Sequence, residues 1–327
     1  LQQYVIAAHK YQGFRDVIKR HFRDSDAFPP PKLTAPVTKP AFGQKALTHK
    51  AKQPQAVPVT RQDPLEFDAL LAAAHALADL AGAVILPHFR TEQAVDHKGG
   101  NLFDPVTAAD RDAESAIRAK LAELYPSHGI IGEEFGTENR EADHCWVIDP
   151  IDGTRSFILG LPIWGTLIGL TRGDLPLLGL MDQPFTGERF WSGEKESFFR
   201  RDGETKAIRA RACPSLDQAL LATTSTDYFT AEEESRFAAL TEKVRLRRFG
   251  GDCYNYCLLA MGHIDLVAEA GLKPFDILPL IPIIEGAGGV VSDWTGGDPR
   301  AGGCILAAGD RRVHAAAVEI LSGSRAG

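Results

Sequence analysis

The sequence predicts a layered α/β protein, and three observations carry that expectation. Apolar residues recur at helical spacing along residues 64–85 and 107–125. Short strand-like runs separated by turn signals fill the stretch from about 128 to 192. Beyond about residue 205, strand candidates alternate with helical segments, as expected when helices pack on a sheet.

Residues 1–62 stand apart. Basic residues such as Lys10, Arg15, Lys19 and Arg20 outnumber the acids Asp16, Asp24 and Asp26, and the stretch from Phe28 to Thr60 is rich in proline and lysine. That composition reads as a disordered or non-native N-terminal extension. It partly fits a transit peptide, but Ser25 is its only serine. From Asp63 the pattern changes. Asp63 is placed to cap a helix, with Pro64 at its first position, and Phe67, Leu70, Leu71, Ala74, Leu77, Ala81 and Ile85 supply the apolar face. Thr107 opens a second helix that closes before Pro126.

The runs "HGIIG", "CWVID", "TLIGLT", "PLLGLMD" and "ERFWS" predict strands of an antiparallel meander, with Arg172-Gly173-Asp174 as one turn. In the later part "ALLATTS", "KVRLRRF", "IDLVAE", "GGVVSD" and "CILAAG" are strand candidates. Helices are expected at 231–242, 252–262, 275–287 and 311–321.

The net charge of −7 over 327 residues argues against a nucleic-acid partner. No continuous apolar run of about 18 residues predicts a membrane span. Cys145, Cys213, Cys253, Cys257 and Cys304 are too scattered for a disulfide framework and suggest reduced thiols in a cytoplasmic type of compartment. Cys253 and Cys257, four apart on an expected helix, read as packed thiols rather than a zinc site.

Acids cluster at the ends of elements. "WVIDPIDGTRSF" ends a strand with Asp149 and Asp152, and Pro150 restrains the pair. Two close carboxylates repel each other, and a hard divalent cation such as Mg2+ resolves the conflict with oxygen ligands. Gly153 and Thr154 then start a helix, where backbone N–H groups suit a phosphate. "IIGEEFG" sets Glu133 and Glu134 after another strand, "DPVTAAD" sets Asp104 and Asp110 around a helix start, and "GLKPFD" sets Asp276 at a third. The pattern points to metal-assisted phosphate chemistry.

"GEEFG", "WVIDPIDGT" and "KPFDILPLIPIIEGAGGVVSDWTG" together resemble the inositol monophosphatase superfamily, over roughly residues 65–321. The resemblance implies an αβαβα sandwich of the inositol monophosphatase and fructose bisphosphatase type, a homodimer, and two or three Mg2+ ions per active site. It assigns Glu133, Asp149 and the carbonyl of Ile151 to one ion, and Asp152 and Asp276, with Asp149 bridging, to a second. Asp110, with Thr154 beside it, resembles the acid that holds or deprotonates the attacking water, and Glu133 joins them in catalysis. Glu134 becomes a supporting or surface acid. On this basis residues 63–205 form an N-terminal α+β subdomain with most of the metal ligands, and 206–327 a C-terminal α/β subdomain that completes the substrate site.

"DPIDGTRSFILGLPIWGTLIGL" and "GGDCYNYCLLAMGHIDLVAEAGLKPFD" resemble the histidinol-phosphate phosphatase branch. That implies release of histidinol and phosphate, a late step of histidine biosynthesis. The alternatives are inositol phosphate, another sugar phosphate or a bisphosphate nucleotide, and, in another class, a catalytically silent binding protein. Substrate contacts are expected from Glu133, Asp152, Gly153, Thr154 and Asp276. An ammonium on the substrate calls for a carboxylate, with Glu269 the first candidate and Asp252 the weaker one. Arg155 and Arg248 are candidates for phosphate or for ordering the acids, with a surface role equally open. Tyr254 and Tyr256 read as packing, and His263 is assigned no role.

Overall fold

The computed structural model describes residues 64–92, 95–97 and 105–323. The expected extension, the Asp63 cap and Asp104 lie outside these residues. Helix α1 spans Pro64–Ile85. Strand β1 (Val95–His97) pairs antiparallel with β2 (Pro105–Thr107), and α2 (Ala108–Leu124) follows directly. Asp110, in the first turn of α2, reaches back to accept the Thr107 N–H at 2.9 Å, which satisfies one end of the helix start.

Eight strands follow around one short helix: β3 (Gly129–Gly132), β4 (Gly136–Glu138), β5 (His144–Asp152), α3 (Thr154–Ile158), β6 (Gly165–Arg172), β7 (Leu175–Gln183), β8 (Glu188–Ser192), β9 (Ser197–Arg201) and β10 (Glu204–Ile208). They form one sheet in the order β10-β9-β8-β7-β6-β5-β3-β4. The meander is antiparallel from β5 to β10, as expected. The pair β3–β5 is parallel instead, because the short polar strand β4 intervenes and occupies the outer edge. Strands β4, β9 and β10 carry too little apolar alternation to stand out in the sequence.

The second sheet contains β11 (Leu220–Thr223), β12 (Leu246–Phe249), β13 (Leu266–Leu272), β14 (Val290–Asp293) and β15 (Gly303–Ala308), in the order β12-β11-β13-β15-β14. Helices α4 (Ala231–Thr241), α5 (Asp252–Ala260), α6 (Pro274–Ile277), α7 (Leu280–Gly286) and α8 (Arg311–Leu321) connect and cover it. The helix expected over 275–287 is two helices. Pro279 has no N–H to continue α6, and it serves as the cap of α7. That break is seated on the first sheet. A Cβ on Gly179 would lie 1.7 Å from the Pro279 carbonyl oxygen, so the backbones touch where only glycine fits.

Alternating side chains build the layers. Trp146 and Ile148 on β5 pack with α1 and α2, while Val147 faces the other way with Cys257 of α5 and Ile283 of α7. On β15, Ile305 and Ala307 join that middle layer, and Leu306 and Ala308 pack outward with Leu240 of α4 and Val313 of α8. The result is the αβαβα sandwich. Each large apolar side chain fully buried this way contributes about 1.5–3 kcal/mol. By length and composition alone α1 would qualify as a membrane span. Its apolarity is explained by the core, where Leu70, Ala74, Leu77, Ala81 and Ile85 are buried.

Candidate active site

A register irregularity builds the centre of the site. In a regular strand Asp149 and Asp152 would point to opposite faces, since side chains alternate. The β5–β6 pairing instead shifts between these two residues, and Thr166 Oγ1 of β6 donates to the Pro150 carbonyl at 2.8 Å inside the bulge. Both carboxylates therefore reach one place. Asp276, in the first turn of α6, joins them, so that ligand oxygens of Asp149, Asp152 and Asp276 all lie within 4.8 Å of one another. Glu133, just after β3, hydrogen-bonds to Asp149, and its charge acts on Asp276.

Backbone groups aim these acids. Asp149 Oδ1 accepts the Ile151 N–H at 3.1 Å, Asp152 Oδ2 accepts the Cys253 N–H at 2.5 Å, and Asp276 Oδ2 accepts the Lys273 N–H at 2.6 Å. Thr154 Oγ1 lies 3.1 Å from the Ile151 carbonyl and 3.4 Å from Asp110 Oδ1. Asp110 is fully buried, and its other oxygen is spent on Thr107. One carboxylate thus starts α2 and faces the site.

The acids crowd one another electrostatically. Burial holds the Asp149 carboxyl well above its ordinary range, reinforced by the charges of Glu133, Asp152 and Asp276. Burial does the same to Asp152, with Asp252 and Asp276 adding to it. Asp276 rises to about 8, chiefly by burial, against the opposing bond from Lys273. Such a group cannot ionise fully alone. A bound divalent cation removes the conflict, and an all-oxygen donor set suits Mg2+, whereas zinc would draw nitrogen or sulfur. The residues present fit Mg2+.

Two further acids adjoin the group. Glu269 on β13 is buried; its Oε1 accepts Thr224 N–H at 2.8 Å and Thr224 Oγ1 at 2.5 Å, and its Oε2 accepts Tyr256 Oη at 2.9 Å. Burial lifts its carboxyl to about 7, although these bonds oppose the rise. Asp252 starts α5 with φ of 46°, in the left-handed region, and accepts Ser156 Oγ at 2.9 Å. Burial lifts it to about 6, against the Ser156 bond and the charge of Arg155. Arg155 also pairs with Asp227 at 3.4 Å and lies over the Tyr228 ring.

The structure does not bring Arg248 to this group. It stands on β12, lining a hollow of about 330 Å³ with Ile163, Leu246, Phe249 and His263. Tyr254 hydrogen-bonds Glu188 of β8 and packs on Phe190, while Tyr256 carries a polar task in holding Glu269. Sequence reasoning missed Glu114 and Thr224. Glu114 stands one turn after Asp110 on the buried side of α2, a signal that mapping the helix face would have shown.

Gly153 cannot carry a side chain. Its φ is 87°, and a Cβ there would lie 2.8 Å from Asp252 Oδ2. Gly153→Ala is expected to lower stability by about 1–2 kcal/mol from the backbone alone, with turnover falling further as Asp252 is displaced. Urea unfolding with phosphate-release assays measures both; wild-type values in both would contradict this geometry.

Residues 66–325 match the model of the inositol monophosphatase family. This chain belongs to that family. Bifunctional phosphatase IMPL2, chloroplastic, of Arabidopsis thaliana is 44% identical over 78% of this chain and 76% of its own length. The histidinol-phosphatase of Streptomyces coelicolor is 36% identical, covering 75% of this chain and 93% of that protein. Among solved structures, an inositol monophosphatase from Zymomonas mobilis superposes with a TM-score of 0.70 at 43% identity, covering 78% of this chain and 98% of its own. As an inositol monophosphatase family member, the protein has a phosphatase's fold and acidic group.

Proposed function

We propose that this protein is a Mg2+-dependent phosphomonoesterase that hydrolyses histidinol phosphate to histidinol and phosphate. The observation that carries the substrate is the two acids beside the acidic group, buried Glu269 and half-buried Asp252, each held by hydrogen bonds, because carboxylates match a cationic ammonium more strongly than a neutral ring of hydroxyls. The relatives named histidinol-phosphatase support the same reading.

In this reading Glu133, Asp149, Asp152, Asp276 and the Ile151 carbonyl hold the cation. When bound, Mg2+ supplies positive charge to the phosphoryl oxygens and acidity to water. The chain does the rest. Thr154 Oγ1 receives a proton from the attacking water and passes its own to Asp110 Oδ1, the acceptor 3.4 Å away. The Gly153 and Thr154 N–H groups face the equatorial phosphate oxygens as the water oxygen bonds to phosphorus, the P–O ester bond breaks, and the departing alkoxide takes a proton from solvent water. Arg155 steadies Asp252, and Glu269 takes the substrate ammonium, which favours its ionised form.

A homodimer belongs to this reading, and exposed Leu159 and Leu161 offer apolar surface to bury. All five cysteines are free thiols, which suits a reducing cytoplasmic or stromal compartment. A second reading, hydrolysis of inositol phosphate, is favoured by the relatives named inositol monophosphatase.

Phosphate release from both esters decides between them. Histidinol phosphate should give the higher kcat/KM, and preference for inositol phosphate would hand the site to the second reading. Glu269→Gln should raise KM for histidinol phosphate about tenfold or more, the worth of a charged hydrogen bond, with a smaller change for inositol phosphate. Equal effects on the two would remove the ammonium contact.

A further inference from the structure

We infer that Glu114 is a positioning residue that holds the loop bearing Glu133 in register with Asp149. The inference rests on the proposed role of Glu133 at the cation. Asp110, Glu114 and Arg118 follow one another at four-residue steps along α2, so one helix face presents all three. Glu114 is fully buried yet stands outside the acidic group. Its Oε2 accepts the Glu134 N–H at 2.8 Å, and its Oε1 accepts the Phe135 N–H at 3.2 Å. These are the two amides that directly follow Glu133.

The carboxylate is itself held in place. Arg118 Nε donates to Glu114 Oε1 at 2.8 Å, and the same guanidinium reaches the Gly136 carbonyl and Glu138. On the near side, a Cβ on Gly132 would fall 2.0 Å from Glu114 Oε1, so the carboxylate rests against the main chain. Glu133 N–H donates to the Ile148 carbonyl of β5 at 3.2 Å. The turn is therefore tied to β5, which carries Asp149, and to α2, which carries Asp110.

A buried ion pair by itself adds little net stability over an apolar pair of the same size. Here the buried charge is directed at two backbone amides of one turn, which fixes where Glu133 emerges. Partners of this kind commonly govern the affinity of a ligand they do not themselves supply.

The test is Mg2+ titration calorimetry on the full chain with inorganic phosphate present, together with hydrogen exchange. Glu114→Gln is expected to weaken Mg2+ binding about 10–100-fold. It should also speed exchange at the Glu134 and Phe135 amides while β5 and β7 keep wild-type protection. Glu114→Asp keeps the charge and shortens the reach, so it should fall between; it decides the matter if the glutamine variant does not fold. Wild-type Mg2+ affinity in a folded variant, or unchanged exchange at those two amides, overturns this inference alone. No uptake by the wild-type chain overturns the proposed metal chemistry and this inference with it.

Discussion

Asp149→Asn should lower Mg2+-dependent phosphate release about a thousandfold or more, because several kcal/mol of transition-state stabilisation depend on the cation it helps to hold. The fold should survive. Asp149 is nearly inaccessible, at 1% exposure, and an amide of the same shape fills its space. At pH 8 the metal-free variant is even expected to melt above the metal-free wild type, since one of the crowded charges is gone. Added Mg2+ should then raise the wild-type Tm and leave the variant's nearly unchanged. Turnover near the wild-type rate in the variant would remove Asp149 from the site's chemistry.

The second large effect is a loss of stability with rising pH that Mg2+ suppresses. The folded chain raises the carboxyls of Asp252 to about 6, Glu269 to about 7 and Asp276 to about 8, in each case first by burial. Unfolded, these groups lose their protons near the ordinary carboxylate range, at about 4. Below that range both states are protonated and nothing is lost. Between about pH 4 and 8 the native state binds more protons than the unfolded state, so stability falls as pH rises. At about 1.4 kcal/mol per pH unit the three groups together cost at most on the order of 10 kcal/mol, so the metal-free protein should lose about 10 °C or more in Tm. Saturating Mg2+ binds the ionised native form and should flatten this slope, adding about 2.7 kcal/mol at a hundredfold excess over Kd. Thermal melts from pH 5 to 9, with EDTA or with Mg2+, measure it. A metal-free Tm that is flat or rises over this range would contradict the crowding.

Much of this architecture was legible because periodicity reports burial. The apolar stripe of α1, the runs of β5 to β8 and the alternation after residue 205 each announced an element. Partnering was less visible. The three residues of β4 are all exposed, so nothing in their pattern warned that β3 would pair with β5 in parallel. The break at Pro279 was spelled out in the sequence, yet the apolar run around it masked two helices as one. At the site, acids stood out where they ended apolar strands, as Asp149 and Glu133 do. Glu114 did not, because an acid within a charged helix looks like a solvated face until the neighbouring turn is known to close over it. Arg248 had two readings, phosphate or surface; it stands on the outer strand β12 and lines a hollow there.

The seat of Pro279 against Gly179 has a consequence for biogenesis. It fastens the segment that delivers Asp276 onto a sheet whose strands were all synthesised earlier. A nascent chain that has emerged only through that sheet carries Asp149 and Asp152 but lacks the third carboxylate. In the proposed metal chemistry the full set of carboxylates therefore assembles only when the late segment docks, which places cation capture last.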